Sequence, residues 1–350
     1  MTIFAFVLIL LVLVFVHELG HFVSAKAFGV RVHEFGFGYP PRIAAFKRGE
    51  TEYSVNWLPL GGFVRLAGEE DPSEKGALAA KSPWVRLVVL AAGSFMNVLL
   101  PVLLFSASWM IPQHVTVGDV SVKSVAVGSP AERAGLQPGD LIHEVAGRRV
   151  RNGGELVYAT QLNLGNEISM VTERAGQRRV IEVKPRYDPP SGQGPIGFEM
   201  QLLNFHRISE SFPLWEAVPK GFGSSVDTLR LFKNMVVMLV AGGGTPEVAG
   251  PIGIAQVTDE VAEVGGFVAL LQFTALLSMN LAVINMLPIP MLDGGRIVFV
   301  LAEIVRRGRR VAPERERLAH LVGFMLLLTL IVVISYFDVL RLAQGHNIFE

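Results

Sequence analysis

The 350-residue sequence contains no cysteine and few charged residues. The absence of cysteine excludes disulfides and thiolate metal ligands, and leaves histidine and carboxylate side chains as the strong metal ligands available. Charged residues make up 18% of the chain, against about 25% in an average soluble protein. The formal net charge is zero, so no global basic field points to nucleic acid as a partner. Composition therefore indicates a membrane protein that binds no nucleic acid.

Long apolar segments predict four transmembrane helices. They cover 1–27, 85–111, 265–304 and 318–338. About 20 apolar residues suffice to cross the hydrocarbon core as a helix. For the first segment the alternative is a cleaved signal peptide. No basic residues precede its apolar run and no small-residue cleavage site follows, which argues against that alternative.

Basic residues predict the orientation of these helices. The segment 305–317 carries Arg306, Arg307, Arg309, Arg310, Arg315 and Arg317. Cytoplasmic loops are enriched in Lys and Arg, so this loop is expected in the cytoplasm. Alternation then places 28–84 in the cytoplasm, and the amino terminus, 112–264 and the tail 339–350 outside. The predicted location is the inner (plasma) membrane of the cell.

Two of the connecting segments are expected to fold. In 28–84, the stretch TEYSVNWLPLGGFVRLAGE alternates apolar and polar residues around a Pro-Leu-Gly-Gly turn, which predicts a membrane-associated β-hairpin over 50–66. In 112–206, strands near 116–126 and 167–184, a helix near 153–163 and the stretch SPAERAGLQPGDLI resemble a PDZ domain of the bacterial type. There GPIGFEM would supply the carboxylate-binding loop, with Ile196, Gly197 and Phe198 at its centre. The segment 207–264 is expected to hold an amphipathic surface helix over 222–240 and a Gly/Pro-rich loop.

The predicted fold class is therefore a multi-pass α-helical membrane protein with four transmembrane helices, a membrane-associated β-hairpin and one inserted α/β PDZ-like domain.

The stretch HELGH inside the first apolar segment predicts a metal-binding site. Positions four apart project from one face of a helix, so His17 and His21 can bind a single ion while Glu18 reaches a water molecule on it. A charged side chain in a membrane span costs about 2.5–3.5 kcal/mol on insertion scales and is retained mainly when it pairs or binds something. The alternative is that these polar residues merely face a neighbouring helix. Asn97, in the second span, is assigned to packing.

A third metal ligand is expected, because catalytic zinc sites usually have three protein ligands. The acidic residues inside or beside the spans are essentially Asp293, Glu303 and Asp338. Asp293 in NMLPIPMLDGGR is favoured, since Pro288, Pro290 and the glycine pair break the helix there and free backbone groups that must be buried in protein or line a wet cavity. With the predicted orientation, this residue and HELGH both lie late in spans that run inward, so the active site is expected toward the cytoplasmic side. The alternative is that the segment is only the interfacial end of the third span, with Asp293 in water.

These features together resemble the site-2 protease family of intramembrane zinc metalloproteases, in particular the bacterial regulator-of-sigma-E-protease type, over nearly the whole chain. The resemblance implies zinc ligation by His17, His21 and Asp293 and acid–base catalysis by Glu18. It also implies a substrate-handling role for Asn285, for which a helix–helix hydrogen bond is the alternative, and a re-entrant hairpin over 50–66 that meets the substrate. Gly61 and Gly62 would allow close approach of that substrate, although a plain turn is equally compatible. The chain departs from relatives that carry two tandem PDZ domains, since it has room for one.

The predicted function is hydrolysis of a peptide bond in or near the transmembrane segment of single-span membrane proteins that have been trimmed outside, such as anti-sigma factors or remnant signal peptides. The PDZ-like domain is expected either to capture peptide carboxyl termini or to act as a steric filter. The expected cofactor is Zn²⁺ and the remaining partner is the lipid bilayer. The alternatives are a membrane zinc carrier or sensor, and an inactive scaffold.

Overall fold

A computed structural model of the protein describes residues 2–69, 72–240 and 250–344. Eight helices are described: α1 (Thr2–Ala27), α2 (Pro83–Met110), α3 (Pro130–Arg133), α4 (Gly153–Gln161), α5 (Leu214–Val240), α6 (Pro251–Asn285), α7 (Asp293–Val305) and α8 (Pro313–Ala343). The strands in this part of the chain are β1 (Val32–Arg48), β2 (Thr51–Leu66), β3 (Gln113–Val125), β4 (Leu141–Val145), β5 (Arg148–Arg149), β6 (Ile168–Arg174), β7 (Gln177–Val183) and β8 (Phe198–Glu210).

The chain divides into two compact units. The first comprises the described residues up to Ser108, Ala217–Ser225 and the described residues from Gly250 onward. The second comprises Trp109–Glu216 and the described part of the segment that begins at Val226.

Four helices in the described residues are long and apolar enough to cross a membrane. They are Phe4–Ala27, Pro83–Met110, Pro251–Asn285 and Glu314–Ala343. Their number agrees with the four spans predicted from the sequence, and they support a membrane protein. Their bounds differ from the predicted ones mainly in the third, which begins at Pro251 instead of residue 265.

The third predicted span consists of two helices. α6 contains a kink at Gly266, whose φ of 59° lies in the left-handed region that glycine tolerates. The helix ends at Asn285, a turn follows over 286–292, and α7 starts at Asp293. The break falls at Pro288 and Pro290, because proline lacks the N–H that a continuing helix needs. Part of the predicted Gly/Pro-rich loop, 241–249, lies outside the described residues, and 251–264 is helical.

β1 and β2 form a two-stranded antiparallel sheet in the first unit, with bulges along its length. Phe35 of β1 is paired both with Val64 near the end of β2 and with Tyr53 near its start. The hairpin predicted over 50–66 therefore does not close on itself, because its two arms pair with β1. Glu34, which is buried, accepts hydrogen bonds at 2.7 Å from Ser54 Oγ and from Arg42 Nη2, and so ties the sheet together.

A buried apolar cluster in the first unit joins the end of α1, the ends of the β1–β2 sheet, α2 and α7. Its members are Ala25, Val30, Val32, Leu66, Leu78, Val89, Leu90 and Val300. Burial of a large aliphatic side chain contributes roughly 1.5–3 kcal/mol. The cluster lies beside the polar end of α1, so it holds in place the helices that carry the HELGH and LDGG motifs.

The second unit is built on a six-stranded sheet of order β7-β6-β4-β3-β8, with β5 paired to β4. The strand predicted over 167–184 is two strands, β6 and β7, joined at Ala175 and Gly176, which both have positive φ. The core beneath the sheet is formed mainly by aliphatic residues of β3, β4, β6 and α4. The loop 195–197 leads directly into β8.

The second half of α5 packs on α4 within the second unit. The buried carboxylate of Asp227 accepts hydrogen bonds from Arg148 Nη2 at 2.9 Å and from the Tyr158 hydroxyl at 3.3 Å. Asn234 Nδ2 donates to the Gln161 carbonyl at 2.7 Å. Burial, together with the neighbouring carboxylate of Asp227, raises the pKa of Tyr158 to about 12, so its hydroxyl remains a donor at physiological pH. The helix predicted to lie on the membrane surface over 222–240 is thus anchored to protein along this half.

Candidate metal centre

Three potential ligand atoms meet between α1 and the start of α7. Nε2 of His17 lies 3.1 Å from Oδ2 of Asp293, and Nε2 of His21 lies 3.3 Å from the same oxygen. The two imidazole Nε2 atoms are 3.2 Å apart. The histidines are 7% and 8% exposed. The structure thus brings together the three residues that the sequence proposed as a ligand set.

The residues present fit a zinc ion. A tetrahedral zinc with bonds of about 2.0–2.1 Å holds its ligand atoms roughly 3.3 Å apart, which matches the distances among these three atoms. Oδ2 of Asp293 is buried and has no hydrogen-bond partner. A buried carboxylate oxygen without a partner is costly, and a cation beside it removes that cost. Two imidazoles and one carboxylate are also a donor set found in catalytic zinc sites. Of the residues the structure describes, no others form a group of three such ligands.

The helix α2 closes one side of this centre. A Cβ added at Gly93 would lie 2.7 Å from Nε2 of His17 and closer still to Nε2 of His21, so only glycine fits there. Gly20 of α1 in turn packs against the backbone carbonyl of Ala92, leaving no room for a side chain. Nδ1 of His21 donates a hydrogen bond to the Val89 carbonyl at 2.8 Å. Nδ1 of His17 faces the carboxamide of Asn97 at 3.4 Å.

The turn before α7 places Asp293. Gly294 and Gly295 pack directly on backbone carbonyls of this turn, where a Cβ would clash with Leu287 and Ile289. Met291 has a positive φ of 90°, and its N–H donates to Nδ1 of His320 in α8 at 2.9 Å. The turn is therefore held on both sides. Its rigidity fixes the carboxylate of the first residue of α7.

Glu18 lies next to the ligand atoms and beside β2. The backbone N–H of Val64 hydrogen-bonds to its carboxylate. A Cβ built on Gly62 would be 3.8 Å from Cγ of Glu18, and one on Gly61 would be 3.3 Å from Val14 of α1. Gly61 has a positive φ of 135°. The two glycines predicted for substrate approach therefore lie along α1 near the carboxylate of Glu18.

The other predicted binding residues are placed as follows. Asn285 is the last residue of α6, where the chain turns toward Asp293, and is half-buried. Ile196, Gly197 and Phe198 line a groove in the second unit. Its volume is about 100 Å³ and it is open to solvent. The other wall of the groove is α4, including Leu156 and Thr160. Gly197 has a positive φ of 85°.

The sequence does not predict that α2 contributes to the candidate metal centre. Val89, Gly93 and Asn97 are spaced four apart and so share one face of the helix, which is the face turned to the two histidines. The stretch AGSFMN carries the only available signal, a small residue and an amide four positions apart within an apolar span. That signal does not identify the neighbour, because the packing partner of a helix is decided by tertiary structure.

Comparison with known proteins places the chain in a family. The profile of Peptidase family M50 matches residues 5–330. A relative in Clostridium perfringens, whose name describes a zinc metalloprotease, is 33% identical over 94% of this chain and 95% of its own length. The zinc metalloprotease RasP of Oceanobacillus iheyensis is 30% identical, over 97% of this chain and 99% of the relative. The regulator of sigma-W protease RasP of Bacillus subtilis is 28% identical over the same shares.

Among solved structures, the PDZ domain of an SdrC-like protein from Listeria monocytogenes is 24% identical, and the match covers 25% of this chain and 90% of that one. Its TM-score is 0.22, at which the likeness carries no argument. The profile match, in contrast, spans both halves of the candidate metal centre, from HELGH to Asp293. The chain belongs to Peptidase family M50, the site-2 protease family of zinc metalloproteases.

Proposed function

We propose that the protein hydrolyses a peptide bond in or near the transmembrane segment of single-span membrane proteins, with His17, His21 and Asp293 holding the zinc ion and Glu18 acting as general base. The observation that carries the proposal is the meeting of three ligand atoms within 4.8 Å of one another on helices of membrane-spanning character, next to a fourth ionisable group.

The chemistry divides between the ion and the chain. When bound, zinc supplies Lewis acidity to the attacking water and to the scissile carbonyl. The carboxylate of Glu18 takes the proton from the water and returns it to the leaving amine nitrogen. The N–H of Val64 hydrogen-bonds to this carboxylate and so orients it toward the metal centre.

The substrate chain is held beside β2. A helical segment hides its carbonyls in its own hydrogen bonds, so it must unwind before it is cut. The last residues of β2 pair with β1, as in Phe63 with Gly36 and Val64 with Phe35. The unwound substrate pairs as an extra strand along this part of the sheet. Main-chain hydrogen bonds to the sheet then replace the helical hydrogen bonds that the substrate lost on unwinding. Gly61 and Gly62 leave room for that strand, and Asn285 donates to its backbone or to the developing oxyanion.

The proposed arrangement in the membrane follows the basic loop. With 305–317 in the cytoplasm, the amino terminus and the second unit lie outside, and Asp293 lies toward the inner face. The protein then resides in the inner membrane as a four-span protein. Anti-sigma factors are candidate substrates because a relative is named a regulator of sigma-W protease.

The second unit is proposed to act as a PDZ domain. Support comes from its antiparallel sheet, from α4 as a wall of the groove, and from the glycine loop that enters β8. Backbone N–H groups around Ile196, Gly197 and Phe198 capture the free carboxylate of a trimmed substrate. A steric filter that admits only trimmed substrates remains the competing role.

The Glu18→Gln variant tests the catalytic proposal. The amide cannot accept the proton from water, so cleavage of a co-expressed single-span substrate should fall by at least about a hundredfold. Zinc content, measured by elemental analysis of the purified protein, should stay at the wild-type level. Glu260→Gln, on α6, is the matched control and should cleave as the wild type does. Cleavage by Glu18→Gln at the wild-type rate would overturn the proposed role and favour a carrier or sensor.

A further inference from the structure

The second ring nitrogen of each candidate zinc ligand has a partner on α2. Both histidines direct Nε2 at Asp293. A neutral imidazole that uses Nε2 as a ligand carries its hydrogen on Nδ1 and needs an acceptor there. For His21 the acceptor is the Val89 carbonyl, 2.8 Å away. For His17 the neighbour is the side chain of Asn97.

The contact between His17 and Asn97 has one orientation that satisfies both residues. In the structure, Nδ2 of Asn97 lies 3.4 Å from Nδ1 of His17, which puts two donors opposite each other when Nε2 binds a metal. Oδ1 of Asn97 is buried and has no hydrogen-bond partner. A half-turn of the carboxamide exchanges the two atoms and presents Oδ1 to Nδ1–H. Both polar groups then have a partner.

The position of Asn97 is fixed from a third helix. The residue is fully buried, and its backbone carbonyl accepts a hydrogen bond from Oγ of Ser278 in α6 at 2.9 Å. Gly93, one turn earlier, lies against both imidazoles. Rotation or sliding of α2 is therefore restricted on both sides of the contact. The carboxamide of Asn97 is therefore fixed in position along the axis of α1, next to His17.

We propose that Asn97 is a positioning residue of the metal centre: it accepts the hydrogen of His17 Nδ1, which fixes the tautomer and the ring plane in which Nε2 faces the zinc. The proposal rests on the proposed metal site. It assigns to Asn97 more than the packing role expected from the sequence, because its side chain faces a proposed ligand and a half-turn of the carboxamide brings its orphaned acceptor to the N–H of that ligand.

The test compares metal binding by three variants of the full-length protein in detergent. Asn97→Leu keeps the number and branching of the side-chain heavy atoms and removes the acceptor. Asn97→Asp keeps an acceptor oxygen. Thr258→Val is the control, because Thr258 is a buried polar residue of a spanning helix whose hydroxyl bonds only within its own helix, to Ile254. Zinc affinity is measured by competition with a chromophoric chelator, and cobalt(II) substituted for zinc reports ligand geometry by its visible absorption.

Asn97→Leu should bind zinc about 10- to 100-fold more weakly than the wild type and should give an altered cobalt spectrum, as expected for loss of a partner behind a metal ligand. Asn97→Asp should retain affinity within a few fold and the wild-type spectrum, and Thr258→Val should match the wild type. If Asn97→Leu does not fold, Asn97→Ala replaces it as the variant without an acceptor in this comparison.

Wild-type affinity and spectrum in the variants without an acceptor would overturn the proposal, as would equal impairment of Asn97→Asp and Asn97→Leu. Failure of the metal site itself looks different. In that case the wild type gives no tetrahedral cobalt spectrum, and Asp293→Ala binds zinc as the wild type does.

Discussion

Nε2 of His17 lies 3.1 Å from Oδ2 of Asp293, although one residue belongs to the first helix of the chain and the other opens the seventh. Without an ion, the carboxylate oxygen has no hydrogen-bond partner. A zinc ion bound at this position would link α1 to the start of α7. Metal binding and local folding are coupled in such a site.

Removal of zinc should loosen this turn. Treatment with a chelator is expected to raise amide hydrogen exchange over 286–296, because the metal-mediated link from Asp293 to His17 and His21 is then lost. Exchange in β4 of the second unit should not change. The comparison is made by mass spectrometry on the full chain before and after zinc is restored. Equal exchange over 286–296 in both states would count against a metal at this position.

Gly93→Ala should disrupt the metal centre. The added Cβ would meet Nε2 of both histidines, so the imidazoles must move and zinc affinity should fall by roughly ten- to a hundredfold. Gly223→Ala is the control, since a Cβ at this helical glycine meets open space. Chelator competition on the two purified variants measures the difference. Zinc binding by Gly93→Ala at wild-type strength would show that α2 does not pack on the ligands as described.

Gly197→Ala should weaken peptide binding in the groove of the second unit. Its positive φ costs alanine about 1–3 kcal/mol, and its Cβ would also press on Ser129. Gly192→Ala carries a similar positive φ of 77° but meets open space, so it controls for backbone strain. Fluorescence anisotropy of a labelled peptide with a free apolar carboxyl terminus gives the affinity, and its amidated form should not bind. Equal affinities for the free and amidated peptides would favour the steric filter.

The second unit should lose stability in acid through Asp140. Hydrogen bonds from Arg174 at 2.6 and 2.7 Å, aided by the backbone N–H of Gln137 at 2.9 Å, lower the pKa of Asp140 below its ordinary value. A carboxyl group whose pKa is lowered by folding stabilises the fold fully above its unfolded pKa of about 3.9. That contribution is lost as the pH falls toward the lower folded value.

Hydrogen-exchange protection of β4 and β6, corrected for intrinsic exchange rates, should therefore decrease below about pH 4. Asp140→Asn should show lower protection at pH 7 and a flatter dependence on pH. A variant with the same pH dependence as the wild type would remove Asp140 as the cause.

The sequence predicts the local part of the metal centre well. Residues four apart on a helix share a face regardless of tertiary structure, so His17 and His21 can be recognised as a pair. Asp293 is predicted because acidic residues are rare near apolar spans and because prolines mark a helix break. The protease family is confirmed by the match to Peptidase family M50, and zinc as the cofactor is supported by relatives named zinc metalloproteases.

Features of the fold and of the metal centre that depend on packing between distant segments cannot be predicted from local sequence patterns. Gly93 and Asn97 look like ordinary residues of an apolar helix, and only their contact with α1 gives them a role. The strand β1 contains Pro40 and Pro41, which are unfavourable in strands, so its pairing with both arms of β2 was not expected. The Gly and Pro residues near Pro251 predict a loop at the start of α6, but the helix begins at this proline, because proline is favourable in the first turn of a helix.

The central claim is that one zinc ion is bound by His17, His21 and Asp293. Zinc K-edge X-ray absorption of the purified protein tests it most directly. We predict about one zinc per chain, with the multiple scattering of two imidazole rings and with oxygen as the remaining ligand type. The imidazole contribution should be lost together with the metal in a His17→Ala, His21→Ala variant. A zinc coordination shell without imidazole scattering, or one that is unchanged in this variant, would contradict the claim.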